Sequence, residues 1–329
     1  MKQAIKINES QFREIIKDKI NETVLLLNFE EDIRNLVFES CGISDTITKF
    51  IYDNKQTLFD LVLNSIGKGT IDKNGIEKSV SSIKLPAFVK TYTGKDGNEE
   101  EIKHAILFTI VSYNFSNKQE YLDLKDNYII NYGNSSTDGK RYDWLTIYTY
   151  TISGRLHKPS FINTLGHELS HLFKQGMAVK TIPKNDKKYL RAITDLHSTN
   201  DIEKDVAKVI YYSEKLEQEG FANGLYYQFK EANNGMPSWE TFSNTDEWNV
   251  YKEVNKIIAN LKQQPEQVQY ILNNRYGGMK FTTLIRLAET AMRQFKKCLL
   301  KILWKCHEDL VNEGVAFRDA DVYHQLIIG

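Results

Sequence analysis

The segment His167-Glu168-Leu169-Ser170-His171 lies inside an otherwise apolar run, with Phe161, Ile162 and Leu165 before it and Leu172 and Phe173 after it. That spacing predicts a helix. Pro159 suits its first position and Gly176 its end. On a helix, two histidines four apart share a face, one turn from each other. A fold that buries this helix buries two imidazoles and a carboxylate with it, and buried polar groups without partners are costly. A metal ion held by both imidazoles removes that cost. Glu168 projects about 100° around the helix from His167. It can therefore reach a water at such an ion without being a ligand. Zinc brings its water close to neutrality, and a carboxylate beside it can take the proton and pass it to a leaving amine. The five-residue pattern alone arises by chance in about one chain in a hundred of this length, so its surroundings matter.

Before this helix the chain is rich in strand formers. Lys84–Thr93 and Ile102–Phe115 are dense in β-branched and aromatic residues and are joined by Lys95-Asp96-Gly97-Asn98, a hairpin signal. Tyr128–Tyr132 and Leu145–Ser153 form a second pair of runs, separated by a polar turn over Asn134–Lys140. The block predicts a twisted, mainly antiparallel sheet. Residues 8–27 read as an amphipathic helix capped by Asn8, residues 29–66 continue helical, and Gly67–Gly75 marks a boundary. The stretch IKINESQFREIIKDKI resembles short leaders at the start of some phage-encoded proteins of gut bacteria. After the motif, residues 202–232 form a second long helical run, and the chain from about Asp246 is helical, with breaks near Pro265 and Gly277-Gly278.

His167-Glu168-Leu169-Ser170-His171 resembles the active-site helix of zincin metallopeptidases. The resemblance implies an α+β fold: a mainly antiparallel sheet packed on the motif helix, here with helical N- and C-terminal regions. It implies a helical region over 1–80 and a zincin-like catalytic domain over 81–329 with a helical C-terminal subdomain. It also implies Zn2+ as cofactor, Glu168 as general base, and a peptide or protein substrate paired to the sheet's edge strand, for which Leu145–Ser153 is the candidate. The metzincin subclass is excluded, because Lys174 and Met177 stand where it needs glycine and histidine. The gluzincin pattern, a downstream glutamate with a small residue at +3 and Asp or Asn at +4, fits Glu219, Ala222 and Asn223. The expected zinc ligands are thus His167, His171 and Glu219, with Asn223 orienting a ligand histidine. Glu217, Glu214 and, in an aspzincin-like arrangement, Asp195 are rivals for the third position, and His197 is a weaker one. Tyr226, Tyr227, Tyr276 and His197 are candidates for the oxyanion donor.

Composition removes some alternatives. The 43 basic and 43 acidic residues balance, which leaves no basic footprint for nucleic acid. No apolar stretch predicts a membrane span, and the N-terminus lacks a secretory pattern. Both point to a cytoplasmic protein. Cys41, Cys298 and Cys306 read as free thiols, the last two in the core. A competing reading is a catalytically inactive zincin scaffold serving as a binding or structural protein, such as part of a phage particle. A third is hydrolysis of a non-peptide amide. The intact Glu168 argues against a dead site, since a structural zinc needs the histidines but not that carboxylate.

Overall fold

The computed structural model describes residues 43–93, 99–137, 142–175, 186–233, 237 and 239–312. The expected helix over 8–27 and the hairpin turn at Lys95–Asn98 lie outside them.

Helix α1 (Asp45–Leu63) begins at Ser44, whose side chain accepts from the Ile47 N–H, a standard capping interaction. Strands β1 (Thr70–Ile71), β2 (Glu77–Thr93) and β3 (Glu99–Phe115) follow. After a short helix α2 (Lys118–Leu124) come β4 (Tyr132–Thr137), β5 (Tyr142–Ile152) and β6 (Arg155–Leu156). The path across the sheet is β1-β2-β3-β5-β4, with β6 paired to β5. Every pairing is antiparallel except β3 with β5. The chain is therefore α+β with a mostly antiparallel sheet.

Three details of the sheet differ from the expectation, the first being that of the run Tyr128–Tyr132 only Tyr132 lies in a strand. Strand β5, expected at the edge, is internal, and β4 is the edge strand beyond it. Asn134–Thr137, expected as a turn, belongs to β4. A strand paired on one side and facing a polar site on the other has little need of apolar residues, so hydrophobic alternation fails to mark it.

Helix α3 (Lys158–Gln175) carries the histidine motif. It lies against β4 and β5 on one side and against α6 (Lys215–Asn233) on the other. Leu145 and Ile147 of β5, Phe108 and Ile110 of β3, and Phe161, Leu165, Leu169 and Leu172 of α3 belong to one buried core. Phe59 of α1 meets Phe161 edge-on at 5.7 Å. Burying each such side chain contributes about 1.5–3 kcal/mol, which anchors α3 to the sheet.

The remaining helices are α4 (Asp186–Asp195), α5 (Asp201–Tyr212), α7 (Trp239–Ser243), α8 (Asp246–Leu261), α9 (Pro265–Arg275) and α10 (Phe281–Asn312). The run expected as one helix over 202–232 is two, α5 and α6, interrupted at Ser213 and Glu214. Gln218 bridges this break, donating to the carbonyls of Tyr212 at 2.9 Å and Ala291 at 3.1 Å. Cys306 is buried and outside any disulfide, whereas Cys298, also expected as a thiol, is disulfide-bonded. Among the described residues, no helix is long and apolar enough to cross a membrane.

Candidate metal centre

His167 and His171 face one another on α3, their Nε2 atoms 2.9 Å apart. Into the same space comes Glu217, from the first turn of α6. Its Oε2 lies 3.5 Å from His167 Nε2 and its Oε1 lies 3.6 Å from His171 Nε2. Ligands about 2.0–2.1 Å from a tetrahedral zinc are about 3.3 Å from one another. The observed closest approaches, two of them to different oxygens of Glu217, lie around that value, so the three side chains could hold a tetrahedral metal ion. Among the described residues, these three form the group able to hold a metal ion.

The third position thus differs from the expected one. Glu219 is buried, but its carboxylate lies 3.6 Å from Lys215 and is not part of the group with the histidines. The interruption at Ser213-Glu214 starts a new helix, and its first turn aims Glu217 at the histidines. The small residue needed for close helix contact is then Gly220, three after Glu217. A Cβ there would lie 3.0 Å from both Cε1 and Nδ1 of His167. Phe221 completes the wall around His167, ring to ring at 4.7 Å. Asn223 does not orient a histidine through its amide; it donates to Ser170 Oγ at 2.9 Å, and Ser170 Oγ donates to the Gly166 carbonyl.

Asp195 is engaged elsewhere. Arg275 grips it through Nη2 at 2.8 Å and Nε at 3.1 Å, and the Tyr276 hydroxyl donates at 2.9 Å. This buried cluster ties α4 to α9. Tyr276 is thereby spent on Asp195, and the Tyr227 hydroxyl pairs with Thr48 at 3.0 Å. Tyr226 is buried against Tyr227, and His197 is exposed in the turn after α4. The phenols that do reach the centre are Tyr189 and Tyr211. Tyr189 donates to Glu217 Oε1, and Tyr211 donates to Oε2 at 2.7 Å. Nothing in the sequence separated these two from the other 16 of the 18 tyrosines.

Glu168 points to the other side, toward β4. Ser135 donates a hydrogen bond to it. Gly133 lets the strand pass so close that a Cβ there would lie 2.6 Å from Glu168 Cδ and Oε1. Gly133 and Ser135 pair with Ile147 and Leu145 and so share the helix-covered face of the sheet. Burial raises the Glu168 carboxyl above its ordinary 4.5 against the opposing effects of His167 and Ser135, as suits a base working nearer neutrality. If Glu168 serves as a catalytic base, Gly133→Val should displace it and lower kcat about a hundredfold while leaving metal content unchanged. Unchanged kcat in that variant would show that the strand does not position the carboxylate.

The electrostatics of these side chains are coupled. Burial alone would lower His167, but the Glu217 carboxylate outweighs it and holds the imidazole above 6.5. Burial would raise Glu217, yet the two imidazoles and the Tyr189 hydroxyl hold it down at about 2. Zinc needs a neutral imidazole, so protons compete with it. Since the His167 shift is upward, zinc affinity should fall as pH drops through a value above 6.5 and level off at higher pH. Calorimetric titration across that range checks this, and pH-independent affinity would contradict it.

Comparison with protein-family models, with curated proteins and with solved structures finds no match for this chain.

Proposed function

We propose that this chain is a zinc-dependent peptidase of gluzincin-like design, with His167, His171 and Glu217 as metal ligands and Glu168 as general base. The observation that carries the reading is the convergence of His167, His171 and Glu217, whose ligand atoms lie within 4.8 Å of one another, beside a second carboxylate, Glu168, that is outside this group and touches β4. A purely structural metal has no use for that carboxylate. Zinc, when bound, supplies Lewis-acid polarisation of the scissile carbonyl and acidifies the attacking water.

The chain's own residues do the rest. Glu168 takes the proton of the attacking water and returns it to the leaving amine. Gly133 and Ser135 fix the carboxylate's direction. Among the described residues β4 has no strand beyond it, and that edge would offer backbone N–H and C=O groups to an extended substrate, which argues for a peptide rather than a compact amide. Phe221 and Gly220 close the site behind His167 and keep its ring in place.

The test is incubation of the zinc-loaded protein with a panel of quenched fluorescent peptides. The proposal expects cleavage that stops on chelation and returns with zinc. A zinc-loaded, folded protein that cleaves none of a broad panel would count against it.

A further inference from the structure

The face of the sheet turned away from α3 carries a pattern of its own. Successive strand residues point to opposite faces. Gly133 and Ser135 share the helix side with Leu145 and Ile147, so Tyr132, Asn134 and Ser136 of β4 lie on the outer side with Trp144, Thr146 and Tyr148 of β5. One end of this outer side is covered: Tyr113, Phe115 and Tyr150 are buried there against Tyr121 and Leu124 of α2. The other end is bare, and it holds two large rings, with Tyr132 52% exposed and Trp144 40% exposed.

The register arranges the outer side in cross-strand rows that end at β4. Val80, Val111, Tyr148 and Tyr132 make one row, and its last two rings meet at 5.8 Å. Ser82, Thr109, Thr146 and Asn134 make a polar row beside it. Lys84, Leu107, Trp144 and Ser136 make the third, in which the short Ser136 leaves Trp144 open from the edge. The neighbouring Tyr142 ring already carries Lys84 Nζ at 5.2 Å. Burial and then the Glu168 carboxylate raise the Tyr132 phenol above its ordinary value, so this ring stands beside the candidate base.

Given the peptidase reading, on which this rests, we propose that Tyr132 and Trp144 select the substrate. A peptide paired to β4 adds one member to each row. An aromatic side chain opposite Tyr132 extends the Tyr148–Tyr132 pair by one strand, and ring pairs of this kind gain more than their buried area alone gives. A second aromatic side chain, four residues along the peptide, lies opposite Ser136 and leans over it onto Trp144. The residue midway faces Asn134 and has no need to be apolar. Gly133 and Ser135, which border Glu168, both fall between Tyr132 and Ser136. The stretch of peptide between the two anchors is therefore nearest the base, and the cleaved bond lies between them. A spacing of three would swing one anchor to the helix side of the sheet.

The experiment gives the zinc-loaded full chain quenched fluorescent peptides of equal length. One set carries two aromatic residues four apart, a second carries them three apart, and a third has alanine at both positions. Binding of the same sequences to zinc-loaded Glu168→Gln is followed by anisotropy, and the oligomeric state of each protein by sedimentation. The expected result is a kcat/KM about tenfold higher for each correctly spaced anchor than for alanine. Tyr132→Ser removes the advantage of one anchor and Trp144→Ser that of the other, with zinc content unchanged. Tyr132→Phe keeps it, because the ring and not the hydroxyl makes the contact. Both rings are exposed, so these substitutions leave the core intact. Equal kcat/KM for spacings of four and three, or an advantage that survives both serine variants, overturns the inference and leaves the peptidase reading standing. A dimer that either serine variant dissociates overturns it as well, since the face would then serve a second copy of the chain. Selective binding of the four-apart peptides with no cleavage by wild type supports the two anchors and overturns the peptidase reading. Neither binding nor cleavage overturns both.

Discussion

Glu168→Gln should take up zinc as the wild type does and cleave peptide about a thousandfold more slowly. Glutamine keeps the shape that fills the space over Gly133 and can still meet Ser135, so the fold and the three ligands are undisturbed. What it lacks is the ability to take a proton. Metal analysis beside steady-state kinetics separates the two effects. Loss of zinc together with activity would place Glu168 among the ligands, and retained hydrolysis would remove it as the base. The raised carboxyl of Glu168 adds a pH signature. In a base the deprotonated form works, so the acid limb of kcat/KM belongs to this group and disappears in the variant.

The second large effect falls on Glu217. Glu217→Gln should weaken zinc binding by at least about a hundredfold, whereas Glu219→Gln should leave it within about twofold. Glutamine retains a carbonyl oxygen for one phenol, and its NH2 can donate to the hydroxyl oxygen of the other, so neither is stranded; a stranded buried hydroxyl would cost about 1–3 kcal/mol. The change is therefore mainly one of charge at the ligand position. It should also let the metal-free His167 fall back from its raised value, because the outweighing carboxylate is gone. Equal losses in both variants, or a larger loss in Glu219→Gln, would return the third position to Glu219.

The sequence carried the motif helix and the α+β class because their signals are local. Apolar residues at helical spacing mark α3, and the aromatic and β-branched runs mark β2, β3 and β5. The third ligand position was not legible, because it depends on helix phase. Glu214, Glu217 and Glu219 lie within six residues of one another, and the choice turns on an interruption at Ser213-Glu214 that contains neither glycine nor proline. A continuous helix favoured Glu219; a new helix starting at Lys215 puts Glu217 opposite the histidines. A small residue three positions on was a usable signal, but Gly220 satisfies it for Glu217 as Ala222 does for Glu219. Strand β4 was hidden for a different reason. Its Gly133, Asn134, Ser135 and Ser136 are polar or small because they border Glu168 or lie on the sheet's edge, so the hydrophobic period that reveals a strand is missing where the site needs it to be. The Tyr189–Tyr211 pair arises from α4 and α5 folding together, which no spacing along the chain encodes.

Metal content of the purified protein, measured beside its His171→Ala variant, tests the central claim most directly. The zinc-centre account predicts about one zinc per chain in the wild type and none retained in the variant. A well-folded wild type that holds no zinc, even after zinc is supplied, would contradict it.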